Sequence, residues 1–226
     1  MFLPFPRAIL FDLDGTLADT APDLAGAMNR VRARRGLPLV DYALLRPVAS
    51  AGARGLIGAA FGLKPGDDGF EELRVEFLAT YEQHLAEDSR LFDQVPELLQ
   101  ALADAGIAWG IVTNKAARFT EPLVPQIGLQ HAGCVISGDT TPHPKPHPAP
   151  LLEAARRLDL DPLHCWYVGD DLRDIQAGHA AGMKTVAAAW GYCGDSEPVT
   201  WQADVVAQTP ADVLQLIRQS LDPTNS

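Results

Sequence analysis

Two carboxylates stand two residues apart in Asp12-Leu13-Asp14-Gly15-Thr16. Carboxylates this close repel each other, and a divalent cation is the natural counter-charge. The pair also suits a two-step hydrolysis. One carboxylate attacks phosphorus; the other protonates the leaving oxygen and then activates water. Gly15 allows a tight turn, and Thr16 can cap it or bond to a phosphate. The same five residues also read as a plain Asx-rich turn, so their meaning depends on what surrounds them.

Three further groups have chemistry to offer. Gly169-Asp170-Asp171 with Asp174 beyond supplies more carboxylates. Asp170 and Asp174, four residues apart, share a face if a helix starts there, although acidic residues also cap helix N-termini. Thr113 and Asn114 offer a hydroxyl and backbone N–H groups that can cradle phosphate oxygens, or can simply cap. Lys145 lies in His143-Pro144-Lys145-Pro146-His147-Pro148, a loop stiffened by fixed φ angles. A lysine held there can neutralise a nucleophile and a transferring phosphoryl group; otherwise it is a solvated loop lysine. His143 and His147 lack a third soft ligand and are not read as a metal site.

The elements that must position these groups are short apolar runs ending in polar residues. Residues 8–11, 108–112, 133–136, 165–168 and 184–189 read as buried parallel strands. Residues 96–105, 149–158 and 172–181 read as helices between them. Alternation of this kind predicts an α/β fold, a parallel sheet covered on both faces, with ligands bound beyond the carboxyl ends of its strands. Residues 19–91 differ. They show helical patterns at 22–35, 42–45, 54–61 and 70–85 and no convincing strand. This stretch reads as a helical insertion able to cover the site and exclude water.

Composition narrows the function classes. The 226 residues carry a formal charge of −11, which disfavours a phosphate-backbone partner and so nucleic-acid binding. Small phosphorylated substrates stay open, because one cation in a pocket reverses the local field. Cys134, Cys165 and Cys193 form no CxxC pair and read as thiols in a reducing compartment. No apolar run is long enough for a bilayer, and the N-terminus does not read as a signal peptide. The expectation is a cytoplasmic protein, with no membrane partner and a frayed tail at 222–226.

Taken together, Asp12-Leu13-Asp14-Gly15-Thr16, Val112-Thr113-Asn114, Lys145-Pro146 and Gly169-Asp170-Asp171 with Asp174 resemble the four motifs of the haloacid dehalogenase superfamily in order and position. The resemblance covers essentially the whole chain. It implies a Rossmann-like three-layer core at 1–18 and 92–226, with a helical, C1-type cap at 19–91. It implies Asp12 as nucleophile and Mg²⁺ ligand, and Asp14 as general acid/base with its backbone carbonyl on the metal. Thr113 and Lys145 would hold the phosphoryl group. Asp170 would ligate Mg²⁺ with support from Asp171 or Asp174. The superfamily's dehalogenases lack the second aspartate of the first motif, so Asp14 points to phosphate chemistry.

Within the superfamily the chain resembles the phosphoglycolate phosphatase group, and more closely the bacterial N-acetylmuramic acid 6-phosphate phosphatases. The stretches that carry this include Gly52-Ala53-Arg54, Gly69-Phe70-Glu71-Glu72-Leu73-Arg74, Ser89-Arg90-Leu91-Phe92-Asp93, Trp109-Gly110-Ile111-Val112-Thr113-Asn114-Lys115 with Arg118-Phe119, and Leu172-Arg173-Asp174-Ile175. They put Gly52, Arg54, Asn114 and Lys115 among the candidate substrate contacts. An arginine on a small-residue loop, such as Arg54, can meet a substrate carboxylate with both nitrogens, or can be a surface arginine. The expected partner is a small phosphomonoester, acted on by a monomer or homodimer. Two rival readings are a phosphosugar mutase and a non-catalytic phosphate-binding module.

Overall fold

The computed structural model describes residues 3–194 and 196–220. The tail expected to fray lies outside them. Six parallel strands form one sheet: β1 (Ala8–Phe11), β4 (Ala108–Val112), β5 (Val135–Ile136), β6 (Cys165–Gly169), β7 (Lys184–Ala188) and β8 (Val205–Ala207). Their spatial order is β5-β4-β1-β6-β7-β8. Counting these six in chain order, this is the 3-2-1-4-5-6 arrangement of a Rossmann-like sheet. The order reverses direction at β1, which pairs with β4 on one side and β6 on the other.

The alternation of side chains along the strands builds two apolar layers. Ile9, Phe11, Trp109, Ile111, Trp166 and Val168 face one side, against Leu98 and Leu102 of α5 (Val95–Asp104), Leu123 of α6 (Ala117–Gln126) and Val213 of α9 (Pro210–Ser220). Ala8, Leu10, Val112 and Tyr167 face the other, against Leu151 and Ala154 of α7 (Ala149–Arg157) and Ala177 of α8 (Leu172–Ala180). Every residue of β1 and β6 is buried, which explains why these strands read as continuous apolar runs.

Between β1 and α5 the chain leaves the sheet. It forms α1 (Ala21–Arg34), α2 (Tyr42–Leu45), α3 (Gly52–Phe61) and α4 (Phe70–Gln83). These helices have their own core of Met28, Val31, Leu56, Ile57, Leu73, Phe77 and Tyr81. Phe119 and Tyr192 join that core from the sheet-bearing part. The expectation of no strand in 19–91 differs from the structure at its two ends. There β2 (Ala18–Asp19) and β3 (Arg90–Leu91) pair antiparallel, Ala18 opposite Leu91 and Asp19 opposite Arg90. A two-residue ribbon has too few positions to show alternation.

Two buried side chains hold the crossings between the sheet and these helices. Asp23 is buried and accepts from Asp88 N (2.8 Å), Ser89 N (3.0 Å) and Ser89 Oγ (2.6 Å). Tyr192 Oη accepts from Thr20 N at 2.8 Å and Ala21 N at 2.9 Å and donates to Asp19 Oδ1 at 2.8 Å.

Candidate active site

The carboxyl ends of the three adjacent strands β4, β1 and β6 deliver Thr113, Asp12 and Asp170 to one place. A cavity of about 480 Å³ opens above them, between the sheet and the helical layer. Its size suits a small-molecule site, which spans roughly 300–1,000 Å³. Asp12, Asp14, Thr113, Asn114, Lys115 and Lys145 line its floor.

Asp12 leaves β1 with its backbone N–H on Val168 O at 2.9 Å, so the neighbouring strand fixes where its side chain starts. Its carboxylate is buried, with Oδ1 2.9 Å from Lys145 Nζ. The lysine donates to Val112 O (3.0 Å), Tyr167 Oη (2.8 Å) and Asp174 Oδ1 (2.7 Å), which compete for its three hydrogens. Asp12 Oδ1 therefore receives the lysine's charge but, among the described residues, no aligned hydrogen bond. Burial pushes the Asp12 pKa up to about 7 against the pull of Lys145, with Asp174 and Asp14 adding to the rise. On Lys145, burial works to lower the pKa, and the charges of Asp12 and Asp174 override it. The ammonium stays charged.

Lys145 is itself positioned by Asn114. The side-chain amide donates to Lys145 O at 3.0 Å and accepts from Lys145 N at 2.9 Å. Asn114, expected to touch substrate, lines the cavity and gives one amide N–H and its oxygen to the lysine's loop. Thr113 Oγ1 accepts from Lys115 N at 3.1 Å, and among the described residues no protein group takes its own proton. That proton is available to a phosphoryl oxygen.

Asp14 turns to the cavity. Its Oδ1 accepts from Lys115 Nζ at 2.7 Å and from Thr20 Oγ1. Lys115 remains charged for the same reason as Lys145: burial works to lower its pKa, and Asp14 outweighs that.

Asp12, Asp170 and Asp174 each offer a carboxylate oxygen within 4.8 Å of the others, and all three are buried. Burial raises the Asp170 pKa well above its usual value, and the charges of Asp12 and Asp174 raise it further. Three buried carboxylates with one lysine among them, and an Asp12 oxygen without an aligned donor, fit a hard divalent cation. Thr16 Oγ1 (2.8 Å) and Tyr192 N (2.9 Å) orient the Asp170 oxygens. Gly15 is required beside them. Its φ is +91°, and a Cβ there would lie 2.1 Å from Asp170 Oδ2.

Asp171 lies outside this cluster, unlike the expectation that placed it with the metal. It caps α8, and both oxygens accept from Arg173: Oδ1 from N (2.9 Å) and Nε (2.8 Å), Oδ2 from Nη2 (2.7 Å). Burial works to raise its pKa, but the Arg173 hydrogen bond and charge prevail and hold it below the usual value. Arg54 also stands apart. It is exposed on α3 and does not line the cavity, because its neighbours Leu56 and Ile57 take the inward positions of that helix. Gly52 does line the cavity.

Other lining residues fall outside the four motifs, although Arg74 and Arg118-Phe119 lie in stretches that carry the closer resemblance. Arg74, Phe77 and Tyr81 of α4 face the cavity, as do Arg118 and Phe119 of α6 and Ser50 of the turn before α3. The signal on α4 was the i, i+3, i+7 spacing, which puts three such side chains on one face.

Comparison with known proteins agrees with this geometry. The model of the family described as haloacid dehalogenase-like hydrolase matches residues 9–188. The chain belongs to that family. It is 50% identical to the phosphoglycolate phosphatase of Xanthomonas campestris pv. campestris, over 91% of this chain and 94% of that protein. It is 45% identical to the N-acetylmuramic acid 6-phosphate phosphatase of Pseudomonas putida, over 95% and 97%. The crystal structure of a predicted phosphoglycolate phosphatase from Haemophilus somnus 129PT superimposes with a TM-score of 0.82 at 31% identity, covering 93% of this chain and 97% of that one.

Proposed function

We propose that this phosphatase hydrolyses a carboxylate-bearing phosphomonoester through an aspartyl-phosphate on Asp12, and that its substrate is N-acetylmuramic acid 6-phosphate. The observation that carries the reaction is the Asp12–Lys145 pair. A carboxylate oxygen at the cavity floor has its charge balanced at 2.9 Å, yet no aligned donor occupies it. Such an oxygen is held in place and free to attack.

The residues divide the work. A phosphoryl group enters with its oxygens toward Lys145 Nζ and the Thr113 hydroxyl. An Asp12 oxygen forms a bond to phosphorus as the bond to the ester oxygen breaks. Asp14 gives that oxygen its proton, and the alcohol leaves. Asp14 then takes a proton from water, whose oxygen attacks phosphorus and displaces the Asp12 carboxylate. Inorganic phosphate leaves and both aspartates return to their starting state. Asp12, Asp170 and Asp174, with the backbone carbonyl of Asp14, would hold Mg²⁺, which would supply charge neutralisation between the two anions. The helical segment acts as a cap, residues 19–91, that shuts out bulk water while this happens.

The cavity supports a sugar-sized leaving group. Its volume of about 480 Å³ extends from the aspartates up to Phe77 and Leu78 of α4. A two-carbon acid such as 2-phosphoglycolate would leave most of that space to water. The relative named for N-acetylmuramic acid 6-phosphate matches nearly the full length of both chains. Steady-state kinetics on a panel of phosphorylated metabolites with Mg²⁺ tests the reading. N-acetylmuramic acid 6-phosphate is expected to give the highest kcat/KM. A higher value for 2-phosphoglycolate would overturn the substrate, and no phosphate release from any member would overturn the reaction.

A further inference from the structure

Tyr81 is buried to 1% exposure, lines the cavity, and has a hydroxyl with no hydrogen-bond partner among the described residues. A buried phenol normally finds a partner, because leaving one unmade costs its desolvation. The mechanism above does not use it. Its ring is held from three sides. Phe77 stacks at 6.3 Å between centroids, Phe119 tilts against it at 5.3 Å, and Lys115 Nζ lies over its face at 4.9 Å. Lys115 is near enough to act on the hydroxyl electrostatically, but it sits over the ring and its aligned bond goes to Asp14. Even a contact from that ammonium would use the phenol oxygen as acceptor. The phenol proton would still have no taker.

The surroundings say what would accept it. Lys115 Nζ joins Tyr81 to Asp14, the proposed proton donor to the leaving oxygen: it bonds to Asp14 Oδ1 at 2.7 Å and lies 4.9 Å over the Tyr81 ring. Tyr81 therefore lines the same cavity beside the proposed proton donor. Arg118, whose guanidinium lies 4.4 Å over the Phe119 ring, gives that wall positive charge, and Arg74, on one α4 face with Phe77 and Tyr81, adds a guanidinium that is paired with Glu71 at 2.7 Å. Burial, offset in part by Lys115, raises the Tyr81 pKa to about 12, so it is a donor at neutral pH. A donor in a positively charged wall favours an anionic oxygen.

Resting on the function proposed above, we infer that Tyr81 is a specificity-determining residue: its hydroxyl donates to the carboxylate of the substrate's leaving group. Tyr81→Phe removes only the oxygen and keeps the ring contacts. The test compares N-acetylmuramic acid 6-phosphate with p-nitrophenyl phosphate, which has no carboxylate. The variant is expected to raise KM for the first by roughly tenfold, the scale of a hydrogen bond to a charged group, with kcat within about twofold. Its kcat/KM for the second should stay at the wild-type value. An equal loss on both substrates would make Tyr81 structural and overturn the inference, as would no loss on either. Wild-type enzyme that cleaves p-nitrophenyl phosphate but no carboxylate-bearing ester would instead overturn the substrate reading beneath it. A matching thermal midpoint for wild type and variant secures the comparison against misfolding.

Discussion

Arg173 Nη2 donates to the backbone carbonyl of Ser50 at 2.9 Å while the same guanidinium is clasped by both oxygens of Asp171. A helix cap on the sheet side thus aims a cation at the turn that enters α3. Ser50 returns the contact, its Oγ donating to Asp170 Oδ2 at 3.2 Å. Two hydrogen bonds therefore tie the helical layer to the sheet side through Ser50, one of them to the acidic cluster at Asp170. Arg173→Ala is expected to loosen that junction. Hydrogen exchange should quicken at residues 46–52, and kcat/KM should fall by about tenfold, the scale of one charge-assisted hydrogen bond. Arg173→Lys, with a single ammonium, should not restore it.

Asn114 holds Lys145 by both ends of its amide. Asn114→Ala leaves a backbone N–H and a carbonyl without partners. The expected loss is about 1–3 kcal/mol of stability by chemical denaturation. Because Lys145 moves with its loop, kcat should fall more than KM rises. A substrate contact would show the reverse pattern.

Burial makes the fold resist ionisation of Asp12. Its folded pKa of about 7 lies above the ordinary value of 3.8. A carboxyl raised in this way contributes stability that is full below pH 3.8 and lost as the pH rises through about 7. In EDTA at pH 8, Asp12→Asn is therefore expected to melt several degrees above wild type, with the gap closing as the pH falls toward 4. Mg²⁺ should raise the wild-type midpoint and leave the variant nearly unmoved.

Gly15→Ala places a methyl against Asp170 and forces φ = +91° on a residue with a side chain. Both effects act at the same carboxylate. The variant is expected to need at least tenfold more Mg²⁺ for half-maximal activity, measured by titration after EDTA treatment.

Much of this was legible because the strands are buried on both faces. Residues 8–11 and 108–112 read as strands, and β1 and β4 occupy those positions. The ends of β1, β4 and β6 carried Asp12, Thr113 and Asp170, and adjacency in the sheet brings them together. β8 and α9 were not anticipated; Val205–Ala207 is only three residues at the sheet edge. α6 was hidden by Pro122 and Pro125, which fall inside it. Side-chain direction was the other limit. The sequence pairs Asp171 with Asp170 and Asn114 with Thr113, yet Arg173 turns one away from the cluster and Lys145 occupies the other. Arg54 sits on a small-residue loop as a ligand would, but the helix it enters points it to solvent. Tyr81 gave no motif because its surroundings are completed by Phe119 and Lys115, distant in sequence.

In the proposed mechanism Asp12 carries the phosphoryl group between the two half-reactions. Acid quenching during turnover, followed by mass spectrometry of the peptide containing Asp12, tests it most directly. One phosphoryl group is expected on that peptide, removed by hydroxylamine and absent from Asp12→Asn, which should release no phosphate. Wild-type-like turnover by Asp12→Asn, or a steady-state enzyme that never carries phosphate at this position, would contradict it.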